Sequence, residues 1–285
     1  MSKNPTTENL TTENSSKIEL KSELKSLGFI IFIALLIRTF VIEPFFVPTT
    51  SMKATILEHE YIFSTKYNYG FSKYSIPFNP NIFSGRIFSS MPERGDVIIM
   101  RPPHDMTTRY IKRLIGLPGD KIEIKRNVTY INDKPVERVK VGVYIDEDNQ
   151  EYNKYKEKLP SGLTFYTYKL GALDNLLEKE HINFGPYVVP EGHFFFLGDN
   201  RDQSGDSRYQ LGFVPFENLI AKAWFVFLST REIFWDEKLG VIDQVSRLWP
   251  WLSSIRFNRL FASLYGSDGD DSAQDVSSQN SSVAK

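Results

Sequence analysis

The run LGFIIFIALLIRTFVIEPFFV, beginning at Leu27, constrains this chain more than any other part of it. From Leu27 to Ile37 no residue is charged, and apart from Arg38 the run continues to Ile42. A bilayer core takes about 20 helical residues, within a range of roughly 17–25, so residues 26–43 just qualify as a single crossing. Arg38 falls near the far end, where a long side chain reaches the head groups. Pro44 ends the helix and drives Glu43 toward an extended conformation. A cleaved leader would carry small residues after its apolar core, where FVIEPFFV stands instead. A soluble core helix would show a polar stripe, and Leu27–Ile37 has none. Lys17, Lys21 and Lys25 precede the span and Glu43 opens its far side. The positive-inside tendency therefore predicts a cytoplasmic N-terminal segment, residues 1–25, with everything after Pro44 outside.

The rest of the chain divides by pattern. Residues 1–16 are polar without a hydrophobic period and read as disordered, whereas Lys17–Lys25 is helix-prone. Residues 44–235 form the expected folded domain. Its apolar stretches are short, rich in Val, Ile, Phe and Tyr, and broken by turn residues: YIFSTKY, DVIIM, YIKRLIG, KIEIKR, HFFFLG and AKAWFVFL. VTYINDKPV predicts a hairpin in which Asn132 and Asp133 take positive φ. Strands do not alternate with helices, which excludes a doubly wound sheet. An insertion is expected at about 125–190, where residues 146–180 are charged and Tyr/Lys-rich, and LGALDNLLEKEH (170–181) suggests a short helix. Residues 236–265 mix Trp249, Trp251, Leu252, Phe257, Leu260 and Phe261 with Arg247, Arg256 and Arg259. That pattern predicts an amphipathic helix lying on a membrane surface or packed against the domain. Residues 266–285 are polar and acidic and read as a disordered tail.

Composition removes several function classes. With 34 basic and 35 acidic side chains the net charge is -1, which excludes a broad electrostatic nucleic-acid binder. The absence of cysteine excludes disulfides, thiolate zinc sites, iron–sulfur clusters and cysteine nucleophiles. No Walker motif, GxGxxG or ligand cluster is present, so no cofactor and no metal are expected. The four histidines, His59, His104, His181 and His193, lie in neither a GxSxG elbow nor an HExxH motif.

Three segments carry polar groups that composition does not explain. VPTTSMKAT (47–55) follows the span directly and is either a polar linker or a site held close to the bilayer. In YIKRLIGLPGD (110–120), Lys112 shares one strand face with Tyr110 and Leu114, and Arg113 shares the other with Ile111 and Ile115. Either one basic head lies among apolar neighbours or the strand is an edge with both heads in water. GDNRDQSGDSR (198–208) places Asn200, Asp202, Ser204 and Gly205 as in a calcium loop. The twelfth position is Leu211, and Arg201 and Arg208 would repel the ion. A polar loop held by Asp–Arg pairs is the remaining alternative.

Taken together and in this order, the anchor, RGDVIIM, YIKR-x-x-GLPGD and GDNRD-x-S-x-DSR resemble the bacterial type I signal peptidase (leader peptidase) family, the serine–lysine endopeptidases S26. The resemblance implies a mainly β architecture. A single N-terminal transmembrane helix would precede an antiparallel β-sheet protease domain of the signal-peptidase/LexA-like fold, with an inserted α+β subdomain. It implies Ser51 as nucleophile and Lys112 as general base. Thr49 and the Ser51 N–H would serve the oxyanion, and Ser204 would orient the lysine. Asp206 and Arg208 would form a supporting ion pair, while Asp199, Asn200, Arg201 and Asp202 shape the loop. Phe45, Val47, Met52, Ile56, Tyr110 and Ile111 would line shallow pockets for small substrate residues at -1 and -3. The implied substrates are secretory preproteins. The implied setting is a monomer in the bacterial cytoplasmic membrane, near the export translocon and without nucleic acid. Thr50 and Ala54 depart from the family pattern without removing a catalytic group. A self-cleaving repressor-type protease would need a DNA-binding domain where this chain has its anchor. A non-enzymatic anchored β protein should have lost Ser51 or Lys112.

Lysine is a base only when discharged. Its ordinary pKa near 10.4 leaves it protonated at neutral pH, and burial against apolar walls can lower that by about 3 units. Arginine at the same position would stay charged.

Overall fold

A computed structural model describes residues 5–76, 83–146, 148–171, 183–233, 243 and 246–265. The first element, α1, runs from Pro5 to Phe40. It begins well before the expected anchor, so the stretch up to residue 16 is helical from Pro5 onward rather than disordered. A helix once nucleated propagates easily through Glu, Leu and Lys, which favour it. It also stops earlier than 43. Ile42–Val47 is strand β1, which takes Glu43 and Pro44 out of the helix. Proline is tolerated there because β1 is an edge strand and its missing N–H breaks no interior ladder. From Leu27 to Val41 the large apolar side chains of α1 and its end are exposed. Among the described residues no helix is long and apolar enough to cross a membrane. The uncharged stretch between Lys25 and Arg38 is shorter than the about 20 residues a bilayer core takes.

The remaining elements are almost all strands: β2 (Glu60–Thr65), β3 (Val97–Met100), β4 (Tyr110–Gly116), β5 (Lys121–Lys125), β6 (Val128–Ile131), β7 (Lys134–Pro135), β8 (Glu137–Ile145), β9 (Glu151–Lys158), β10 (Thr164–Leu170), β11 (Phe184–Val188), β12 (His193–Leu197), β13 (Val214–Pro215) and β14 (Leu219–Ser229). The main sheet has seven strands in the order β1-β2-β14-β3-β4-β12-β13, and its strand pairs are antiparallel. The expected mainly β, antiparallel architecture is therefore present. All four residues of β3, and every residue of β4 except Tyr110, are buried. Strands covered on both faces read as continuous apolar runs, which is how VIIM and LIG look in sequence.

The segment between β4 and β12 builds two smaller sheets, β10-β9-β8 and β11-β5-β6-β7. The described part of this segment is strand. The Tyr/Lys-rich region that suggested α+β character forms β9 and β10, where Tyr152, Asn153, Glu157, Thr167 and Tyr168 are buried. The suggested helix at 170–181 lies outside the described residues beyond Gly171. The 128–135 hairpin forms as expected, with Asn132 and Asp133 at φ 53 and 63.

The C-terminal segment departs from its expectation. Residues 236–242, 244 and 245 of the expected helix lie outside the described residues; the described part contains a short helix, α2 (Leu248–Ser253), and a 3-10 turn at Phe257–Arg259. The following chain is pinned to β14 by bridges from Ile255 to Thr230 and from Ser263 to Phe225, with Leu264 buried in the core. The buried ion pair of Arg259 with Glu60 holds the stretch after α2 on an irregular path against the domain. The tail at 266–285 lies outside the described residues.

Candidate active site

Ser51 sits where β1 gives way to a helical turn. Lys53 N–H donates to Thr50 O, and the N–H groups of Thr55 and Ile56 both donate to Met52 O. Lys112 comes from the centre of β4, paired across to Ile98 of β3. Both side chains are buried, and Lys112 Nζ lies 2.7 Å from Ser51 Oγ. Its other polar partner is the carbonyl of Ile111, at 2.9 Å. The ring of Tyr110 lies 5.3 Å from Nζ. Burial pushes the Lys112 ammonium down to about 8, against the charges of Asp206 and Asp199, which favour it. Desolvation therefore wins over two carboxylates, and an appreciable fraction of the amine is neutral near pH 8.

The GDNRD loop is stitched to the serine turn. Asn200 N–H donates to Ser51 O at 3.1 Å, and its amide Nδ2 donates to Thr50 O at 3.1 Å. Arg113 clasps Asp199 with Nε and a terminal nitrogen at 2.9 and 2.7 Å. The Thr55 hydroxyl donates to the same carboxylate at 2.5 Å. Arg208 pairs with Asp206 at 2.8 Å, and Asp206 in turn accepts from Gly198 N–H at 3.0 Å. Arg201 binds Glu157 of β9 at 2.6 Å, and Asp202 accepts from Leu170 N–H at 2.9 Å. Gly198 is obligatory here. A Cβ at that position would overlap Ser204 Oγ and come within 2.6 Å of the Ser51 carbonyl.

Two expectations change at this level. Ser204 Oγ is buried beside Gly198 with no hydrogen-bond partner, so the expected Ser204–lysine bond is not formed. The lysine is held by Ile111 O and Ser51 Oγ instead. Phe45, Val47, Met52, Ile56 and Ile111 do gather into one apolar cluster, but Val47, Met52 and Ile56 have no exposed surface. They form the wall behind the serine rather than an open pocket, and Tyr110 packs with a different cluster. Thr49 Oγ1 lies 3.5 Å from Ser51 Oγ, on the nucleophile's own side.

Other residues of the site were not expected. Lys112 and Arg113 are both buried, although alternation suggested only one would be. Every residue of β4 after Tyr110 is buried, so neither face of the strand meets water, and Arg113 must find an internal carboxylate. Arg259 holds Glu60 at 2.8 Å and donates to the carbonyl of Thr55 at 2.9 Å. Nothing local in the sequence links Arg259 or Thr55 to the dyad, because the link exists only through the fold. Among the described residues no cluster of His, Asp and Glu could hold a metal ion.

The sequence model of the family described as signal peptidase, peptidase S26, matches residues 20–228. The chain belongs to that family. A signal peptidase I of Rickettsia massiliae (strain Mtu5) is 56% identical over 260 residues, covering 90% of this chain and 98% of the relative. The signal peptidase I of Rickettsia felis (strain ATCC VR-1525 / URRWXCal2) is similar to the same extent, 56% over 260 residues with the same coverage. A crystal structure of a signal peptidase I from Enterococcus faecalis V583 shares 29% identity, with 47% of this chain and 97% of that chain covered and a TM-score of 0.29. A member of this family is a serine endopeptidase.

Proposed function

We propose that this signal peptidase family member removes N-terminal signal peptides from exported preproteins, with Ser51 as nucleophile and Lys112 as its base. The observation that carries the reading is the 2.7 Å approach of a buried, desolvated amine to a buried serine hydroxyl. A serine hydroxyl is a poor nucleophile until a positioned base takes its proton. The neutral amine of Lys112 accepts that proton as Ser51 Oγ attacks the scissile carbonyl, then returns it to the leaving amine. Water repeats the sequence on the acyl-enzyme. The Ser51 N–H and the Thr49 hydroxyl meet the developing oxyanion, where one donor is commonly worth about 10²–10³ in rate. Asp199, Asn200, Arg201, Asp202, Asp206 and Arg208 keep the loop and the serine turn in register. Ser204, with its hydroxyl unpartnered, is placed to take part only after the site rearranges around substrate.

The sheet also supports extended substrate binding. Among the described residues β1 pairs only with β2, and Tyr110–Lys112 of β4 have no partner on the β12 side. Arg109 and Glu43, at the starts of those two strands, meet at 3.1 Å, so the two unpaired edges lie close together. An extended peptide laid between them would bring its scissile bond to Ser51, with small residues at -1 and -3 against Phe45 and Ile111, which unlike Val47, Met52 and Ile56 keep some exposed surface.

The exposed apolar surface of α1 supports an anchor that begins at residue 26 and ends with the helix at Phe40 rather than at 43, with Arg38 snorkelling. On this reading residues 1–25 are cytoplasmic and the catalytic domain, 44–235, works as a monomer on the outer face of the bacterial cytoplasmic membrane, close to the translocon. The test is incubation of detergent-solubilised protein with a secretory precursor, followed by mass determination of the new N-terminus. Cleavage after a small residue is expected with the native chain and none with Ser51→Ala. Equal cleavage by both would reject the assignment.

A further inference from the structure

Strand β8 is the longest described strand without a buried residue. It forms one edge of the β10-β9-β8 sheet, and among the described residues nothing pairs with its other edge. Of its nine residues, Glu137 to Ile145, none is buried. Val139, Val141, Val143 and Ile145 are 48–64% exposed. A bulge between Lys140 and Gly142 reverses the alternation. Val139 therefore faces one side of the sheet while Val143 and Ile145 face the other. Long, apolar edges are normally blunted, because unpaired N–H and C=O groups recruit any extended chain.

The position of this edge points to its occupant. Asp146, immediately after β8, pairs with Lys53 at 2.6 Å, and Lys53 stands two residues beyond Ser51. The end of β8 therefore abuts the turn that carries the nucleophile. The strand runs toward that turn, so a chain leaving the turn along β8 would lie antiparallel to it, the better-paired arrangement. We infer that the unpaired edge of β8 is a docking track for the extended, still unfolded mature segment of the preprotein, on the C-terminal side of the scissile bond. Main-chain pairing with the β8 edge holds the segment whatever its sequence, and the exposed valines on both faces cover apolar side chains of either parity. This rests on the endopeptidase reading above and adds to it a substrate subsite reached only by long substrates.

The experiment compares two substrates with the full-length protein and its Val139→Lys/Val143→Lys variant. One is a peptide ending about three residues past the scissile bond, too short to run along the strand. The other is a precursor with about thirty mature residues. The variant changes exposed side chains, and an unchanged Tm verifies that it is folded. For the long precursor KM should rise about fivefold with kcat unchanged, and the short peptide should show no difference. No change for either substrate, or the same change for both, overturns the inference while leaving the endopeptidase reading intact. Sedimentation showing a native dimer that the variant dissolves assigns the edge to a second copy and also overturns it. Failure of the native protein to cleave either substrate overturns both readings.

Discussion

Lys112 is placed where its own charge is least welcome. Its native pKa near 8 lies below the ordinary lysine value because burial penalises the ammonium more than Asp206 and Asp199 favour it. Between about pH 8 and the unfolded value the unfolded chain binds more protons than the native one, so stability climbs with pH through that window. At neutral pH the buried charge lowers stability by about 2–4 kcal/mol. Lys112→Met should accordingly raise Tm at pH 7 and abolish turnover, measured by calorimetry and peptide cleavage on one preparation. Lys112→Arg should also be inactive, since guanidinium holds its proton. Gly198 fails differently. Gly198→Ala forces Ser204 and the Ser51 carbonyl apart, and a loss of about 1–3 kcal/mol with a fall in kcat is expected from chemical unfolding and single-turnover kinetics.

At the level of elements, the turn from Ser51 to Ile56 and strand β4 are tied together by Thr55. Its hydroxyl meets the Asp199 carboxylate held by Arg113, the β4 neighbour of Lys112, and its carbonyl accepts from Arg259. The C-terminal segment, beyond the residues matched by the family model, thus braces the nucleophile's turn. Arg259→Ala leaves Glu60 buried without its cation, at a cost of about 3–5 kcal/mol, whereas Glu60→Gln/Arg259→Met should recover much of that. Urea denaturation of the single and double variants distinguishes the two cases. These links were invisible in sequence because they join residues about 200 positions apart through the fold. Ser51, Lys112 and the GDNRD loop were singled out by the family resemblance, because the local patterns alone left a polar linker, an edge strand and a polar loop open. The pocket residues were legible only as a group. Val47, Met52 and Ile56 belong together, but a periodic pattern cannot tell a lining side chain from one packed behind it. The Ser204–lysine bond was misjudged because no sequence pattern records which of several nearby acceptors an amine reaches.

The whole molecule joins an exposed apolar helix to a domain whose reactive pair is dry. The mainly β architecture was readable from short Val- and Ile-rich runs, and the segment between β4 and β12 was legible as a change in composition. Its sheet character was not, because Tyr and Lys in β9 and β10 satisfy neither a helical nor a simple alternating pattern. Removing residues 1–41 should leave the β-sheet domain folded and able to cleave a short peptide in detergent-free buffer, yet release it from vesicles, as flotation would report. Cosedimentation of that truncated domain with vesicles at unchanged yield would assign membrane attachment to another surface. The account depends above all on a lysine amine that loses its proton near neutrality. Direct titration of Lys112 by NMR, with the lysine side chains isotopically labelled and Ser51→Ala as a reference, measures it. The expected midpoint is about 8 and coincides with the rising limb of the kcat/KM profile against pH. A midpoint at the ordinary lysine value, with activity that rises far below it, would contradict the account.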